Sequence, residues 1–479
     1  MTQKLALHRA ARIVGVTRGV LQQKIKAGEL RASDGLISTD DLLAAYPNTK
    51  FEEDLVVEHL ERLKDESFAK RVREHVLPSQ EVLAARLYEQ SRELADMRNH
   101  LQRYHAVVIE MQARLRALEA TSGAALAPLA HWLEARLEDV LNTEDPDPLS
   151  VLDDYLRVVS AQIVLRPSGH EYFVEGSDTI LEAALRAGLA INYGCSNGNC
   201  GLCKARVVSG QVAKVRHHDY VLSEAEKNQG YTLTCSYAAV TDLVIEALEA
   251  RGPSDIPLQE VQTRVKTVQA LGPGLRLVHV QTPRTNRLRF LAGQRAALAI
   301  GNGPASEYSI ASCPCDDRNL QFHIREDATR DFERQVFADL KPGDNVMLRG
   351  PFGHFVLDEE SAQPLIFIAG EHGFAPIKSL IEHAMALDNA ERIRLIRFAD
   401  GEEALYQANL CRSWSDALDN FSYFEFIVPP AQDLLEAALM GFPLERAGVY
   451  VAGPQTFIDT TRALLADYPQ IASVQFETV

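Results

Sequence analysis

The sequence predicts a multidomain chain. A small helical head leads into one long helix, then come a mixed α/β module, an antiparallel β-barrel and a parallel α/β sheet. Three observations point there. Three cysteines crowd the loop Gly194–Cys203, apolar residues recur at heptad spacing through 79–120, and from residue 364 short apolar runs alternate with helical patterns. At 479 residues the chain has room for three or four domains with cores of their own.

Charge and cysteine usage narrow the class. Lys and Arg number 49 against 66 Asp and Glu, a net charge of −17, so the chain as a whole is no polyanion binder. A local basic module still fits inside such an average. No apolar run reaches the ~18 residues that span a bilayer, and no opening stretch reads as a signal peptide, so no membrane partner is expected. Seven cysteines, four of them in one motif, suit a reducing cytoplasm rather than a disulfide scaffold. Cys313, Cys315 and Cys411 read as ordinary thiols.

The head, residues 1–50, reads as helix, tight turn, helix, hairpin, helix. Ala10, Ala11, Ile13 and Val14 mark the first helix and Gly15-Val16 the turn. Thr17 is placed to cap the second helix, which carries Val20, Leu21 and Ile25. Gly28 ends it, a short wing turns at Asp34-Gly35, and Thr39 caps a last helix that Pro47 stops. The run A-A-R-x-x-G-V-T-R-x-x-L-x-x-x-I-x-x-G-x-L resembles the winged helix-turn-helix of MerR-type regulators. That resemblance makes DNA a candidate partner, with Arg18, Gln22 and Lys26 facing out from the second helix towards phosphates and bases. The plainer alternative is a docking or assembly module.

Residues 51–142 form a helical segment. Leu87, Gln90, Leu94, Met97, Leu101, Tyr104, Val108, Met111, Leu115 and Leu118 alternate at three and four residues, the a/d seam of a coiled coil. A homodimer follows, unless the helix folds back on residues 52–76 as a hairpin. Gly123 to Pro128 breaks the pattern, and the acidic, proline-rich run at 143–148 makes 143–159 a linker.

Next stands Gly194-Cys195-Ser196-Asn197-Gly198-Asn199-Cys200-Gly201-Leu202-Cys203. Its C-x4-C-x2-C spacing, with Cys235 downstream, matches the plant-type ligand set for a [2Fe–2S] cluster. Iron bound to sulfide wants soft anionic ligands, and four thiolates close two tetrahedra. Gly198 and Gly201 permit the positive-φ turns such a loop needs. A zinc site and buried structural thiols are the alternatives. Around the loop, strands near Ile163–Leu165, Tyr172–Val174, Ala205–Val208 and Tyr231–Cys235, with a helix opening at Asp178 or Thr179, resemble the β-grasp fold of plant-type ferredoxins. The domain spans 160–252.

Residues 258–360 show the short alternating strands of an antiparallel barrel. Gly293-Gln294, Glu307-Tyr308-Ser309 and Gly350-Pro351-Phe352-Gly353 resemble the flavin domain of the ferredoxin–NADP reductase superfamily. In that family's R-x-Y-S motif the tyrosine packs on the isoalloxazine and the serine bonds near its N5, which implies those roles for Tyr308 and Ser309. FAD is the implied cofactor. Residues 361–479 alternate strand and helix: Leu365–Gly370, Ile393–Phe398, Phe424–Val428 and Val449–Pro454. They resemble the same superfamily's nicotinamide domain, with Gly370, Gly373, Pro376, Gly453 and Pro454 at the NADH or NADPH turns. The order of domains over 160–479 resembles reductase components of multicomponent oxygenases. The implied activity is electron transfer from NAD(P)H through flavin to the cluster and on to a protein acceptor.

Four positions depart from that pattern. The family arginine of R-x-Y-S is Ser306. The second phosphate turn is replaced around Ala328. Glu371 stands in the nicotinamide turn, where an acidic side chain repels phosphate. Ala452 replaces the cysteine of C-G-P. All four bear on flavin and nicotinamide use, and they motivate an alternative: a redox-sensing DNA-binding regulator, or a scaffold.

Overall fold

The computed structural model describes residues 4–14, 16, 18–33, 36–47, 80–122, 132, 160–175, 178–283, 285–301, 303–358, 363–388 and 390–479. The linker at 143–159, the hairpin candidate at 52–76, Gly15, Thr17 and the wing tip Asp34-Gly35 lie outside the described residues.

The head comprises β1 (Lys4–Ala6), α1 (Leu7–Val14), α2 (Arg18–Lys26), β2 (Ala32–Ser33), β3 (Leu36–Ser38) and α3 (Thr39–Ala45). Leu5, Ala10, Ala11, Leu21, Leu30, Ile37 and Leu42 form its core. Strand β1 was not expected. It pairs antiparallel with β3, through Leu5 opposite Ile37, and so closes the small sheet. The cap of α3 is Ser38 rather than Thr39, because the Ser38 hydroxyl accepts from the Asp41 N–H at 3.0 Å.

Helix α4 (Gln80–Ser122) runs unbroken for 43 residues, about 65 Å at 1.5 Å per residue. Its first turns are fixed to the next domain. Val82 is buried, and the buried Arg86 guanidinium donates to the Ala239 carbonyl at 2.9 Å and to the Val174 carbonyl at 3.4 Å. Beyond that mooring, Leu87, Leu94, Met97, Leu101, Tyr104 and Met111 stand exposed along the predicted seam.

The cysteine-loop domain comprises β4 (Ser160–Arg166), β5 (Glu171–Glu175), α5 (Ile180–Arg186), β6 (Lys204–Ser209), β7 (Val212–Lys214), α6 (Glu224–Asn228), β8 (Tyr231–Leu233), β9 (Tyr237–Ala239) and β10 (Leu243–Glu246). The five-stranded sheet has order β5-β4-β10-β6-β8, with β10 parallel to β4. Alternation in β4 buries Ala161, Ile163 and Leu165 against α5. A capping box starts α5: Thr179 accepts from the Glu182 N–H at 3.2 Å, and Glu182 accepts from the Thr179 N–H at 3.1 Å. Strand β8 ends at Leu233, so Cys235 sits in the following turn and not in the strand predicted to contain it.

The barrel comprises β11 (Gln259–Gly272), β12 (Leu275–Gln281), β13 (Arg295–Ile300), β14 (Ser306–Ser309), β15 (Asn319–Arg325), α7 (Asp331–Ala338) and β16 (Asn345–Phe352). Its six strands run antiparallel in the order β14-β13-β16-β11-β12-β15. The edges approach where the Ala311 N–H meets the Gln321 carbonyl at 2.8 Å.

The last domain comprises β17 (Leu365–Gly370), α8 (Phe374–Leu387), β18 (Ile393–Phe398), α9 (Ala408–Ala417), β19 (Phe421–Phe426), α10 (Gln432–Leu439), β20 (Gly448–Gly453), α11 (Gln455–Leu465) and β21 (Ser473–Thr478). Every pairing is parallel, in the order β19-β18-β17-β20-β21. Strands β17, β18 and β20 are buried on both faces, which explains their continuous apolar runs. Strand β19 lies three residues upstream of its expected start at Phe424. Phe421 enters the core, while Ile427 and Val428 are exposed beyond the strand.

Candidate functional site

Three places expected to carry chemistry can be built from these elements. In the cysteine loop, Ser196, Gly198 and Gly201 take positive φ and wrap the backbone inward. A Cβ on Gly198 would lie 2.4 Å from the His218 Cβ, and one on Gly201 would run into the Tyr220 ring, so both positions need glycine for space as well as conformation. The N–H groups of Asn199 and Cys200 point at the Cys195 sulfur at 3.2 and 3.3 Å, and the Cys195 N–H reaches the Cys200 sulfur at 3.4 Å.

The four sulfurs fall into two pairs. Cys195 and Cys200 are in side-chain contact, and Cys203 and Cys235 approach to 3.1 Å. Two thiol pairs suit two irons, each taking two thiolates. The shifts divide the four thiols: burial pushes Cys195 up, but N–H groups of Asn197, Asn199 and Cys200 outweigh it and leave it below its ordinary value, and the Cys203 side chain holds Cys235 down. Burial holds Cys200 up, and Cys235 with burial holds Cys203 up, so each pair carries one thiol poised to ionise first. The residues fit a [2Fe–2S] cluster. Cys195, Cys203 and Cys235 are buried, whereas Cys200 is exposed beside Leu202.

The loop is anchored to the barrel just before it begins. The Tyr193 hydroxyl donates to Asp317 at 2.9 Å, Arg289 donates to the Asn192 side-chain carbonyl at 2.6 Å, and Arg287 pairs with Asp317 at 3.3 Å. Sequence reasoning missed Tyr193, Arg289 and Asp317; nothing in their spacing marks an interdomain contact.

In the barrel, Tyr308 and Ser309 lie on β14 opposite Ala296 and Arg295. The Ser309 hydroxyl is buried with no hydrogen-bond partner. Gly353 has φ +92°, and a Cβ there would meet only Arg295 Nε at 3.6 Å, so open space lies beside it. Gln294 braces this corner, accepting from the Leu291 N–H at 2.8 Å and donating to the Gly353 carbonyl at 3.2 Å. Gly293 lacks such room: with φ +90°, its Cβ would sit 2.1 Å from the Phe355 carbonyl, so it shapes the corner rather than a ligand cradle. The orphan hydroxyl, the tyrosine and the open glycine fit a flat heteroaromatic ring with hydrogen-bonding edges.

The neighbourhood of Ser306 is different. Glu333 of α7 is buried, accepts hydrogen bonds from the Tyr308 and Ser306 hydroxyls, the latter at 3.3 Å, and pairs with Arg330 at 3.2 Å. Burial, then the Glu333 carboxylate, hold the Tyr308 hydroxyl well above its ordinary value. Glu333 was also missed from sequence; its only signal is an acid in the first turn of a helix near a phosphate motif.

In the α/β domain the strand order reverses between β17 and β20, the crevice where such sheets take ligands. Gly370 and Glu371 end one strand and Ala452 and Gly453 the other. Gly373 packs so closely that a Cβ would lie 2.0 Å from the Ala452 carbonyl. The Phe457 ring covers Gly370 and Gly453, whose Cβ positions it approaches to 2.4 and 2.6 Å. Glu371 holds φ +43° and lies 3.9 Å from His372, whose Nδ1 is buried without a partner. Burial, and then Arg325 across the domain boundary, keep His372 below its ordinary value. Pro376 is buried in the first turn of α8, and Pro454 precedes α11.

The outward face expected of Arg18 and Gln22 is not observed. The Arg18 N–H donates to Asp388 at 3.1 Å, and a Cβ on Gly19 would lie 2.2 Å from the Ala390 carbonyl. The start of α2 is therefore seated on the α/β domain. Arg18 and Gln22 line a crevice of ≈ 1080 Å³ between head, cysteine-loop domain and α/β domain. The Lys26 side chain lies outside the described residues.

Comparison with known proteins adds three findings. The 2Fe-2S iron-sulfur cluster binding domain family matches residues 163–240. The CDP-6-deoxy-L-threo-D-glycero-4-hexulose-3-dehydrase reductase of Yersinia pestis is 31% identical over 267 residues, 55% of this chain and 79% of that protein. The reductase component of phenol 2-monooxygenase from Pseudomonas sp. (strain CF600) is 29% identical over 315 residues, 63% of this chain and 89% of that one. Among solved structures, the Amycolatopsis cytochrome P450 reductase GcoB aligns over 67% of this chain and 99% of its own, at 24% identity and a TM-score of 0.42.

Proposed function

The chain belongs to the family of reductases that carry a 2Fe–2S ferredoxin domain, and on that premise we propose that it is an electron-transfer oxidoreductase. Electrons pass from NAD(P)H through a flavin to the cluster, and on to a partner oxygenase or other acceptor. The observation that carries this is the pairing of Cys195 with Cys200 and of Cys203 with Cys235 in a loop pinned to the barrel by Tyr193.

When bound, the flavin supplies the conversion of a hydride into single electrons, and the cluster supplies a one-electron relay. The chain's own residues set the geometry. Tyr308 presents a ring face, and Ser309 offers its buried hydroxyl to the flavin edge. Gly370, Gly373 and Gly453 let the ends of β17 and β20 pack closely under Phe457, which shapes the crevice in which a nicotinamide nucleotide would sit. Asp317 and Arg289 hold the cluster loop against the barrel, so that the relay distance does not drift. Exposed Cys200 and Leu202 mark the face offered to the acceptor. The acceptor class follows the phenol monooxygenase relative.

We assign the exposed seam of α4 to a second copy of the chain, and place the protein in the cytoplasm. Adding NADH anaerobically to the pure protein should bleach flavin and cluster absorbance together. Iron and sulfide in a protein that takes up no flavin would count against this reading. A redox-responsive DNA-binding role stays as the second reading, because α2 touches the α/β domain through Asp388 and would feel a change there. It requires salt-dependent DNA binding that changes on cluster reduction.

A further inference from the structure

The chain has placed its own anions, Glu333 and Asp327, beside Tyr308. Helix α7 presents Asp331 and Glu333 in its first turn, the end of a helix that otherwise favours a bound anion. Upstream, Asp327 already accepts from the Thr329 N–H at 2.8 Å and from the Thr329 hydroxyl at 2.6 Å. Glu333 takes the Ser306 and Tyr308 hydroxyls and is buried at 1% exposure.

The arginines of this turn are committed as well: Arg330 pairs with Glu333 at 3.2 Å, and Arg334 pairs with Asp331. Arg295 stands apart at the ring end beside Gly353, 3.3 Å from Glu477 and 3.8 Å from Glu307, with its Nε making no hydrogen bond. A phosphate arriving at the 327–333 turn would meet carboxylates at short range and arginines already paired. The ring end offers the opposite: an unpartnered Ser309 hydroxyl and free space beside Gly353.

We propose that this protein holds flavin by its isoalloxazine ring and gains little from the phosphate tail, so that riboflavin, FMN and FAD bind comparably and exchange freely. Glu333 is the residue that sets this indifference. It rests on the flavin reading given above. Neutralising Glu333 frees the Arg330 charge and removes the nearest buried anion, so phosphate-bearing flavins should gain while riboflavin does not.

The test is fluorescence titration of the purified full-length protein with riboflavin, FMN and FAD at fixed salt. Wild type should bind all three within about threefold, because one net charge-assisted contact would already separate them by ~10-fold. Glu333→Gln should tighten FMN and FAD by about tenfold over riboflavin. Asp331→Asn, at an exposed position that leaves the core untouched, should move the same way by less. Wild-type FAD binding more than about thirtyfold tighter than riboflavin overturns the proposal. An equal effect of Glu333→Gln on all three ligands also overturns it, since that would make Glu333 a positioning residue for Tyr308 alone. If wild type binds no riboflavin, FMN or FAD at all, the flavin reading itself falls and takes this inference with it.

Discussion

The cysteine loop and the turn at 327–333 use the same parts to opposite ends. Both are tight, polar and rich in N–H donors. In the cysteine loop, the N–H groups of Asn199 and Cys200 point at the Cys195 sulfur, so the backbone stabilises a thiolate that is free to take a cationic guest. In the second turn the Thr329 N–H goes to Asp327, and the Ser306 and Tyr308 hydroxyls go to Glu333, so the protein satisfies itself. A motif alone does not say whether a turn is open for binding. Where its donors point does.

Five substitutions would sharpen or break that contrast. The largest effect should come from Cys235→Ser, which leaves one of the two thiol pairs with a single sulfur. Iron content and the cluster's visible absorbance should be lost, and retention of both would refute the pairing. Next are two glycines. Gly198→Ala, at φ +85° and against His218, should strip the cluster, whereas Gly373→Ala should destabilise the α/β domain by about 3 kcal/mol or more with the cluster spectrum intact. Thermal melts alongside iron analysis separate the two outcomes.

A smaller effect is expected at Asp388. Burial, with Asp419 adding to it and Arg18 opposing, pushes its carboxyl from 3.8 up to about 6. The seated form thus binds its proton more tightly than the released form. Head seating should be firmest below about pH 4, weaken as pH rises, and reach its lower plateau above pH 6, a span of roughly 1–3 kcal/mol. Asp388→Asn keeps an oxygen acceptor for the Arg18 N–H and removes the titration. Protease cleavage of the head should therefore accelerate between pH 5 and pH 7 in wild type but not in the variant. The smallest effect is Ser306→Ala. It deletes one hydrogen bond to Glu333 and should cost about 1 kcal/mol in a melt. A loss of FAD affinity with riboflavin unaffected would instead place a phosphate at Ser306.

Much of this molecule was legible because local chemistry and fold agree. The cysteine spacing, the buried runs Leu365–Gly370 and Ile393–Phe398, and the Thr179 cap each follow from side chains close together in sequence. Glu333, Asp317 and Arg289 were not legible, since each matters through a partner from a distant segment. The orientation of α2 failed for the same reason: nothing near Arg18 signals that Asp388, 370 positions away, accepts its N–H. Glycines misled in a different way. Gly293 and Gly353 look alike in a motif, yet one is jammed against a carbonyl and the other opens onto space.

Arg86 changes what counts as the cysteine-loop domain. Sequence boundaries would cut it at residue 160, yet a buried guanidinium from far upstream fills its back wall and satisfies the carbonyls of Val174 and Ala239. Trimmed to 160–252, the fragment would carry a hole with two stranded acceptors and would lack a cation one short strand away from Cys235. The structural unit is therefore larger than the recognisable one. Recombining this ferredoxin module with another reductase would require carrying the root of the long helix along with it.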